Sequence, residues 1–251
     1  MAKNNETVIS FRNVDFHYDP KKPILEEVNF NVRTGSKITI MGQNGAGKST
    51  IFKLINTSLK PNIGAINTPA NTNIATAFQV VQAEDKELSV QEFFRKYYPD
   101  KEEYNIDKQI GDILRVVNLR APLDKKISAF SGGQQARLLL AAALIQNPDI
   151  LLLDEPTNNL DSEGIWHLTE FLQNYTKTVL VISHDADFLN SFTDGVLYLD
   201  VHTKKVEQYV GNYYDVVEQV KRKIEKDNME NQRLRKEAIA KKEQANEFAH
   251  K

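Results

Sequence analysis

The sequence feature that most constrains the fold is the segment 42–49, which follows the strand-like stretch Lys-Ile-Thr-Ile-Met at residues 37–41. It reads Gly-Gln-Asn-Gly-Ala-Gly-Lys-Ser and matches the spacing G-x-x-x-x-G-K-[ST]. Glycines allow the backbone to curl until its N–H groups face a phosphate, and the N-terminus of a following helix adds positive charge. In this pattern Lys48 reaches the β and γ phosphates and the hydroxyl of Ser49 ligates Mg²⁺. The segment therefore predicts a phosphate-binding loop between a strand at 37–41 and a helix at 49–59.

A second signal is an apolar run at 150–153 that ends in two carboxylates, Asp154 and Glu155. A buried strand that ends in this way suits a site for Mg²⁺ and a nucleotide. Asp154 would hold Mg²⁺ directly or through water, and Glu155 would polarise the attacking water as a general base. The run at 179–182 also indicates a central strand of a mainly parallel sheet, and ligands bind at the carboxyl ends of such strands.

The remaining pattern predicts strands at the front of the chain and helices in its middle. Apolar residues alternate at 14–18 and again at 28–32, which indicates two strands with a turn after Asp19. Residues 89–128 carry helical spacing, as at 109–117, and no strong strand pattern. The sequence therefore indicates an α/β fold.

Charge divides the chain, although its formal net charge is only −2. Residues 221–251 hold 10 basic and 6 acidic side chains, a local +4, which leaves −6 for residues 1–220. The absence of a basic excess over the whole chain excludes the usual signature of a nucleic-acid coat. The chain has no cysteine, which excludes a disulfide framework and a thiolate site. The longest apolar run, at 138–145, has 8 residues, too few to span a bilayer, so a cytoplasmic protein is expected.

After Tyr214 the chain has neither glycine nor proline and apolar residues recur at helical spacing. This predicts a long charged helix over 215–251, and the pattern is expected to continue in a longer parent protein. Its basic excess is compatible with RNA contact and equally with a solvated helix face. The segment 221–251 contains a single aromatic residue, Phe248, so a surface for stacking bases is not supported.

Between the two nucleotide signals lies the segment 130–137, which reads Phe-Ser-Gly-Gly-Gln-Gln-Ala-Arg. Together the three segments resemble an ATP-binding-cassette (ABC) ATPase over about residues 6–211, with Phe130 where the family signature usually has leucine. The resemblance implies a P-loop NTPase cassette at 1–214: a mainly parallel sheet, an antiparallel β subdomain and a small helical subdomain at about 89–130. A helical linker would follow at 215–251.

The resemblance also implies individual roles. Tyr18 would stack on adenine, His184 would contact the γ phosphate, and Asp161 would couple two sites across a dimer. A glutamine that senses Mg²⁺ and the attacking water would be Gln79, which fits the spacing from the strand, or Gln82, which precedes a polar loop and is preferred. The implied ATP contacts are Tyr18, Gly42, Asn44, Gly45, Ala46, Gly47, Lys48, Ser49, Thr50, Ser131, Gly132, Gly133, Gln134 and Asp161. The implied catalytic residues are Glu155, His184 and Gln82, and the metal ligands are Ser49, Asp154 and Gln82.

Three further stretches resemble the ABC-F branch of this family: Pro-Thr-Asn-Asn-Leu-Asp at 156–161, Ser-His-Asp-Ala-Asp-Phe-Leu at 183–189 and Tyr-Val-Gly-Asn-Tyr at 209–213. That resemblance implies a soluble protein with two cassettes on one chain, of which this would be the first. It also implies binding to the ribosome, with the linker reaching towards tRNA.

In the family, ATP lies between the phosphate loop of one cassette and the signature of another. A complete site therefore needs a second cassette, from the same longer chain or from a head-to-tail copy. Two alternatives remain open: the ATPase subunit of an ABC membrane transporter, and an ABC ATPase of DNA repair or chromosome organisation. An ATPase of the latter kind continues into a long coiled coil, which needs a stricter heptad pattern than the sequence from Leu234 onward has.

Overall fold

A computed structural model describes residues 6–77, 80–98 and 105–249, without the side chains of 227 and 240–249. Contacts divide the chain into two compact units, Met1–Tyr213 and Tyr214–Lys251. The strands are β1 (Thr7–Asp19), β2 (Lys22–Arg33), β3 (Lys37–Gly42), β4 (Ile63–Asn67), β5 (Ile74–Ala77), β6 (Ile150–Asp154), β7 (Thr178–Ile182), β8 (Gly195–Leu199) and β9 (Val206–Val210). The helices are α1 (Lys48–Ile55), α2 (Val90–Tyr97), α3 (Ile106–Val116), α4 (Gly132–Leu144), α5 (Ser162–Asn174), α6 (Ala186–Phe192) and α7 (Tyr213–Ala249).

The predicted front strands are β1 and β2, which pair antiparallel and form a three-stranded sheet with β4 in the order β2-β1-β4. In β2 the buried residues Val28, Phe30 and Val32 alternate with exposed ones, because side chains along a strand point to opposite faces, whereas in β1 residues 8–11 are all buried. Phe11 and Phe30 are opposite each other in this pairing, and their rings stack with centroids 4.2 Å apart. The antiparallel sheet expected from the family resemblance is therefore present.

The second sheet has six strands in the order β5-β6-β7-β3-β8-β9, all parallel to their neighbours except β9. Both faces of this sheet are covered. Along β6, Leu151 and Leu153 pack into one apolar cluster, whereas Ile150 and Leu152 pack into the other. Burial on both faces explains why the sequence of β6 is continuously apolar. The mainly parallel α/β fold predicted from these runs is confirmed.

This strand order determines where the functional residues meet. The carboxyl ends of β3, β6 and β7 lie at the same edge of the sheet because the three strands are parallel neighbours. Gly42 ends β3, Asp154 ends β6, and Ile182, which ends β7, is paired with Asp154. The segments that follow these strands therefore emerge side by side.

Helix α1 is shorter than the pattern predicts. The expected range was 49–59, but the helix ends at Ile55, and Thr57 adopts a left-handed conformation with φ of 62°. The amide of Leu59 then donates to the carbonyl of Lys53. A left-handed residue after the last turn is a common way to end a helix, so the apolar spacing beyond residue 55 was misleading.

The middle of the chain contains α2 and α3, as its helical spacing predicts. Ser89 caps α2 in a capping box, because its hydroxyl accepts from the amide of Glu92 while Glu92 accepts from the amide of Ser89. Ser89 also forms an isolated antiparallel bridge with Lys126, which brings the two ends of this segment together. The segment is thus closed on itself by backbone contacts.

The predicted C-terminal helix is confirmed as α7, which has 37 residues. Arg222 pairs with Glu218 at 3.0 Å and Arg233 with Glu237 at 3.2 Å, both four residues apart. Such exposed pairs stabilise a helix only slightly. Throughout the part of the chain that the structure describes, no helix has both the length and the apolar character needed to cross a membrane.

Candidate nucleotide-binding site

The phosphate-binding loop connects β3 to α1 at the edge of the six-stranded sheet. Its curled form is held by Lys48, whose Nζ donates to the carbonyl oxygens of Gly42 at 2.7 Å and Gln43 at 3.2 Å. Gly47 has a φ of 108°, and a Cβ there would lie 2.4 Å from Cγ2 of Ile24. Only glycine fits such a backbone and such a close neighbour, so the glycine required by the motif has a direct steric reason here.

Ser49 and Asp154 come from different elements, α1 and β6, and meet at this edge. The hydroxyl of Ser49 donates to Oδ2 of Asp154 at 3.0 Å. A hydroxyl and a carboxylate are hard oxygen donors, and Mg²⁺ is typically bound by one or two such protein groups together with phosphate oxygens and water. The two residues therefore fit a Mg²⁺ site, as the sequence predicts.

Glu155 has an unusual backbone for a non-glycine residue, with φ of 51°. Its amide donates to the carbonyl of Ile182 at 2.7 Å, and its side chain faces His184. Nε2 of His184 lies 3.3 Å from Oε1 of Glu155, and the amide of His184 donates to Oε2 at 3.2 Å. Left-handed backbone at non-glycine residues is strained and concentrates at functional sites. The turn after β6 thus fixes the carboxylate against the loop after β7.

Electrostatics at this edge favour a carboxylate that accepts protons readily. Burial raises the pKa of Glu155 above its ordinary value and nearby Asp154 adds to this, while His184 and Lys48 oppose it. Burial also lowers the pKa of Lys48, against the pull of Glu155 and Asp154. A base with a raised pKa is better matched to proton transfer near neutral pH.

These side chains line one cavity of about 530 Å³, within the usual size range of small-molecule sites. Tyr18 is 60% exposed and its ring stands edge-on to that of Phe16, with centroids 5.0 Å apart. The ring of Tyr18 is therefore available to stack on a planar ligand. The lining residues are Tyr18, Ile24, Asn44, Gly45, Gly47, Lys48, Ser49, Thr50, Asp154, Glu155, Ile182 and His184.

The residues of the predicted signature lie elsewhere. Ser131 caps α4 through a capping box with Gln134, and Gly132 and Gly133 form the first turn of that helix. Asp161 caps α5 by accepting from the amide of Gly164 at 2.9 Å. None of these described residues is among those that line the 530 Å³ cavity. The structure of one chain therefore brings together only part of the predicted site.

The choice between the two glutamines stays undecided. Gln79 lies outside the described residues. Gln82 precedes a short 3₁₀ helix, Ala83–Asp85, where it is exposed and does not line the cavity. Its assignment as the glutamine near the metal therefore stays a prediction.

Several residues with structural roles around the site were not predicted. Ile24 lines the cavity, but it precedes the alternation at 28–32 and carried no sequence signal of its own. Arg137 belongs to the segment quoted for the signature, but no role was assigned to it, and Asn118 was not considered. Both contact the segment that leads from Glu155 to Asp161. Spacing along the sequence carries no signal for such distant contacts.

Comparison with known proteins agrees with this geometry. A profile of the ABC transporter family matches residues 25–158. The chain is 35% identical over 202 residues to an uncharacterized ABC transporter ATP-binding protein of Schizosaccharomyces pombe. The aligned residues cover 80% of this chain and 27% of that protein. It is 32% identical over 211 residues to ABC transporter F family member 5 of Arabidopsis thaliana. This alignment covers 84% of this chain and 30% of that protein.

The chain spans roughly a third of the length of the curated relatives it matches, from 27% to 45%. Among solved structures, the ATP-binding subunit of an ABC transporter superposes with a TM-score of 0.73 at 24% identity, covering 85% of this chain and 93% of that one. At that identity the likeness supports the fold.

Proposed function

The chain belongs to the ABC transporter family, whose ATP-binding cassettes hydrolyse ATP, and from that premise we propose that it is a cassette of an ABC-F-type ATPase acting on the ribosome. The ABC-F assignment is supported by the segments 156–161, 183–189 and 209–213, and by similarity to an F family member. A cytoplasmic location follows as part of the same proposal.

The observation that carries the ATPase proposal is the convergence of one ammonium group, the hydroxyls of Ser49 and Thr50, two carboxylates and one imidazole on a single cavity. Tyr18 stacks on the base, and the amides of the loop with Lys48 bind the phosphates. Ser49 and Asp154 would hold Mg²⁺, with Gln82 or Gln79 as a further ligand, and the chemistry supplied there would be neutralisation of phosphate charge. Phosphoryl transfer needs mainly placement and charge neutralisation, which these groups supply.

Within this site Glu155 acts as the general base. Its carboxylate orients a water for attack on the γ phosphorus and accepts the proton that the water loses. His184 contacts the γ phosphate, and its amide holds Oε2 of Glu155 in place. The raised pKa of Glu155 favours this proton transfer.

Cassettes of this family work with a second cassette, and the proposal includes one here. The cavity of this chain contains the phosphate-binding loop but not Ser131, Gly132, Gly133, Gln134 or Asp161. These residues complete the site of the partner cassette, whose own signature completes this one. The cassette comprises residues 1–214 with a helical subdomain at 89–130, and residues 215–251 begin a linker to the second cassette.

A transporter subunit is the second candidate, because the family profile and the superposed structure both carry that description. Coiled-coil ATPases of chromosome organisation receive less support. Ile224, Met229, Leu234 and Ile239 are exposed on α7 at five-residue intervals. Each interval turns the helix by about 140°, so these residues do not form the single seam of a coiled coil.

Co-sedimentation with ribosomes separates the two candidates. The full-length protein carrying Glu155→Gln should sediment with ribosomes in ATP, because the mutant binds ATP without consuming it. The same protein with Lys48→Ala is the matched control and should remain in the supernatant. If the Glu155→Gln protein does not sediment with ribosomes but does sediment with membranes in a parallel assay, the ribosome proposal is wrong and the transporter candidate is favoured.

A further inference from the structure

Arg137 of α4 contacts three residues in two distant parts of the chain, and its side chain is only 17% exposed. Its Nε donates to the carbonyl of Asn159 at 2.8 Å, and Nη1 donates to the carbonyl of Asn118 at 2.9 Å. Its Nη2 lies 3.6 Å from Oδ2 of Asp161. The guanidinium thus connects α4 with Asn118, two residues after the end of α3, and with the segment 155–161, called here the β6–α5 loop.

The β6–α5 loop is a short series of turns that begins at Glu155. The amide of Asn158 donates to the carbonyl of Glu155 at 3.3 Å, and the amide of Leu160 donates to that of Thr157 at 3.1 Å. The two turns share Thr157 and Asn158, so an unbroken run of turns leads from Glu155, with its left-handed φ of 51°, to Asn159 and Leu160. The position of Asn159 therefore bears on the direction of the Glu155 side chain.

The arginine is also close to the carboxylates through space. Asp154, Glu155, Arg137 and Asn159 all line one small cavity of about 30 Å³. The arginine and the two carboxylates therefore border the same space. Nothing in the roles assigned to the nucleotide site uses this contact.

Asn118 strengthens the same connection from the other side. It has a φ of 48°, and its Nδ2 donates to Oε2 of Glu163 at 3.1 Å and lies 3.4 Å from Oδ1 of Asp161. Asn118 thus accepts a hydrogen bond from Arg137 through its carbonyl and donates one to the start of α5 through its side chain. The β6–α5 loop is held at its far end by both groups.

We infer that Arg137 is a positioning residue for hydrolysis: it transmits the orientation of α4, the helix that begins at the signature serine, through the Asn159 carbonyl to Glu155. The inference rests on the proposed hydrolytic role of Glu155. An arginine suits this task because its rigid planar fork directs donors to two carbonyls at fixed angles, whereas the three ammonium donors of a lysine rotate and fix no such angle. The carbonyls of Asn118 and Asn159, which accept from Arg137, are not among the implied ATP contacts, so we expect the effect on turnover.

The test compares Arg137→Ala and Arg137→Lys with wild type in the full-length protein. We expect kcat to fall about tenfold or more in the alanine variant, because small displacements of catalytic groups are costly. The lysine variant should recover part of this loss, and KM for ATP should stay within about threefold in both. Hydrogen exchange of a peptide covering residues 155–164 should become faster in the alanine variant, with or without nucleotide.

Arg115→Ala is the matched control, because Arg115 pairs with Asp112 on α3 and is 80% exposed. It should leave kcat and exchange at 155–164 unchanged. If Arg137→Ala keeps kcat within twofold, or raises KM while kcat is unchanged, the inference is wrong. If the alanine variant does not fold, the lysine variant decides: wild-type kcat and wild-type exchange overturn the inference. If the wild-type protein does not hydrolyse ATP, the proposed ATPase function is contradicted instead. Hydrogen exchange at residues 155–164 would still test whether Arg137 holds the β6–α5 loop.

Discussion

The side chain of His184 faces the carboxylate of Glu155, with 3.3 Å between Nε2 and Oε1, and the amide of the same histidine donates to Oε2 at 3.2 Å. Glu155 is largely enclosed, since its side chain is 12% exposed, whereas that of His184 is 68% exposed. One residue thus holds both oxygens of the carboxylate, through its ring and through its backbone. The arrangement leaves the carboxylate directed into the cavity of Lys48 and Ser49.

Replacing the carboxylate by an amide is the first test of this arrangement. In Glu155→Gln the side chain keeps its shape and an acceptor for the His184 amide, but it cannot accept a proton from water. We expect kcat to fall about 100-fold or more, in line with the contribution of a general base, and the Kd for ATP to stay within about threefold. Steady-state phosphate release and ATP titration measure the two quantities.

The control for this variant is Glu87→Gln, because Glu87 is an exposed carboxylate whose only described side-chain bond is to Lys126 at 3.0 Å. Its turnover should match wild type. Wild-type turnover in Glu155→Gln would remove the general-base assignment.

The pH dependence of kcat follows from the environment of Glu155. Burial raises its pKa above the ordinary 4.5, and Asp154 contributes in the same direction. Since only the ionised form accepts a proton, activity should fall on the acid side with a midpoint above 4.5. His184 acts in the opposite direction and lowers the pKa of Glu155. Its removal in His184→Ala should therefore move this acid limb to higher pH, besides lowering kcat.

A series of kcat measurements between about pH 4.5 and 8 provides this test. An acid limb that stays in place or moves to lower pH in His184→Ala would contradict the electrostatic assignment. The residual activity of Glu155→Gln should lack the limb altogether.

Lys48 is expected to dominate phosphate binding. Its ammonium group donates to the carbonyls of Gly42 and Gln43, so it also holds the curl of the loop. A hydrogen bond to a charged group contributes about 1.5–3 kcal/mol, so Lys48→Ala should weaken ATP binding about tenfold or more. Lys53→Ala, at an exposed position in the last turn of α1, is the control and should bind ATP normally. An unchanged Kd in Lys48→Ala would refute the phosphate-loop assignment.

Local patterns were enough to predict much of this site. The phosphate-binding loop and the strand that ends at Asp154 depend on residues adjacent in the chain, so spacing and apolar runs identify them. By contrast, Arg137 meets Asn159 across 22 positions and Asn118 across 19, and only the folded chain brings them together. The end of α1 was misjudged because nothing in the apolar spacing reveals that Thr57 turns left-handed.

The partial site in one chain has a similar physical origin. Motifs far apart in sequence can belong to one family without belonging to one cavity, as Ser131 and Lys48 illustrate. Sequence resemblance predicts that both contact ATP, and the structure of one cassette separates them. Whether a second cassette completes the site depends on how cassettes associate, and residue spacing within one chain does not describe that association.

The last prediction concerns a buried carboxylate outside the nucleotide site. Asp85 is 1% exposed and accepts from Lys96 Nζ at 2.6 Å and from the hydroxyl of Tyr97 at 3.0 Å. These bonds fasten the short 3₁₀ helix that ends at Asp85 to α2. Asp85→Ala removes the acceptor of both donors, so we expect the free energy of unfolding to fall by about 2–4 kcal/mol. Lys126→Ala, which breaks the exposed pair with Glu87, should cost less than about 1 kcal/mol. Urea unfolding of wild type and the two variants measures these free energies. Equal losses in the two variants would show that the buried bonds of Asp85 contribute no more to stability than the exposed pair.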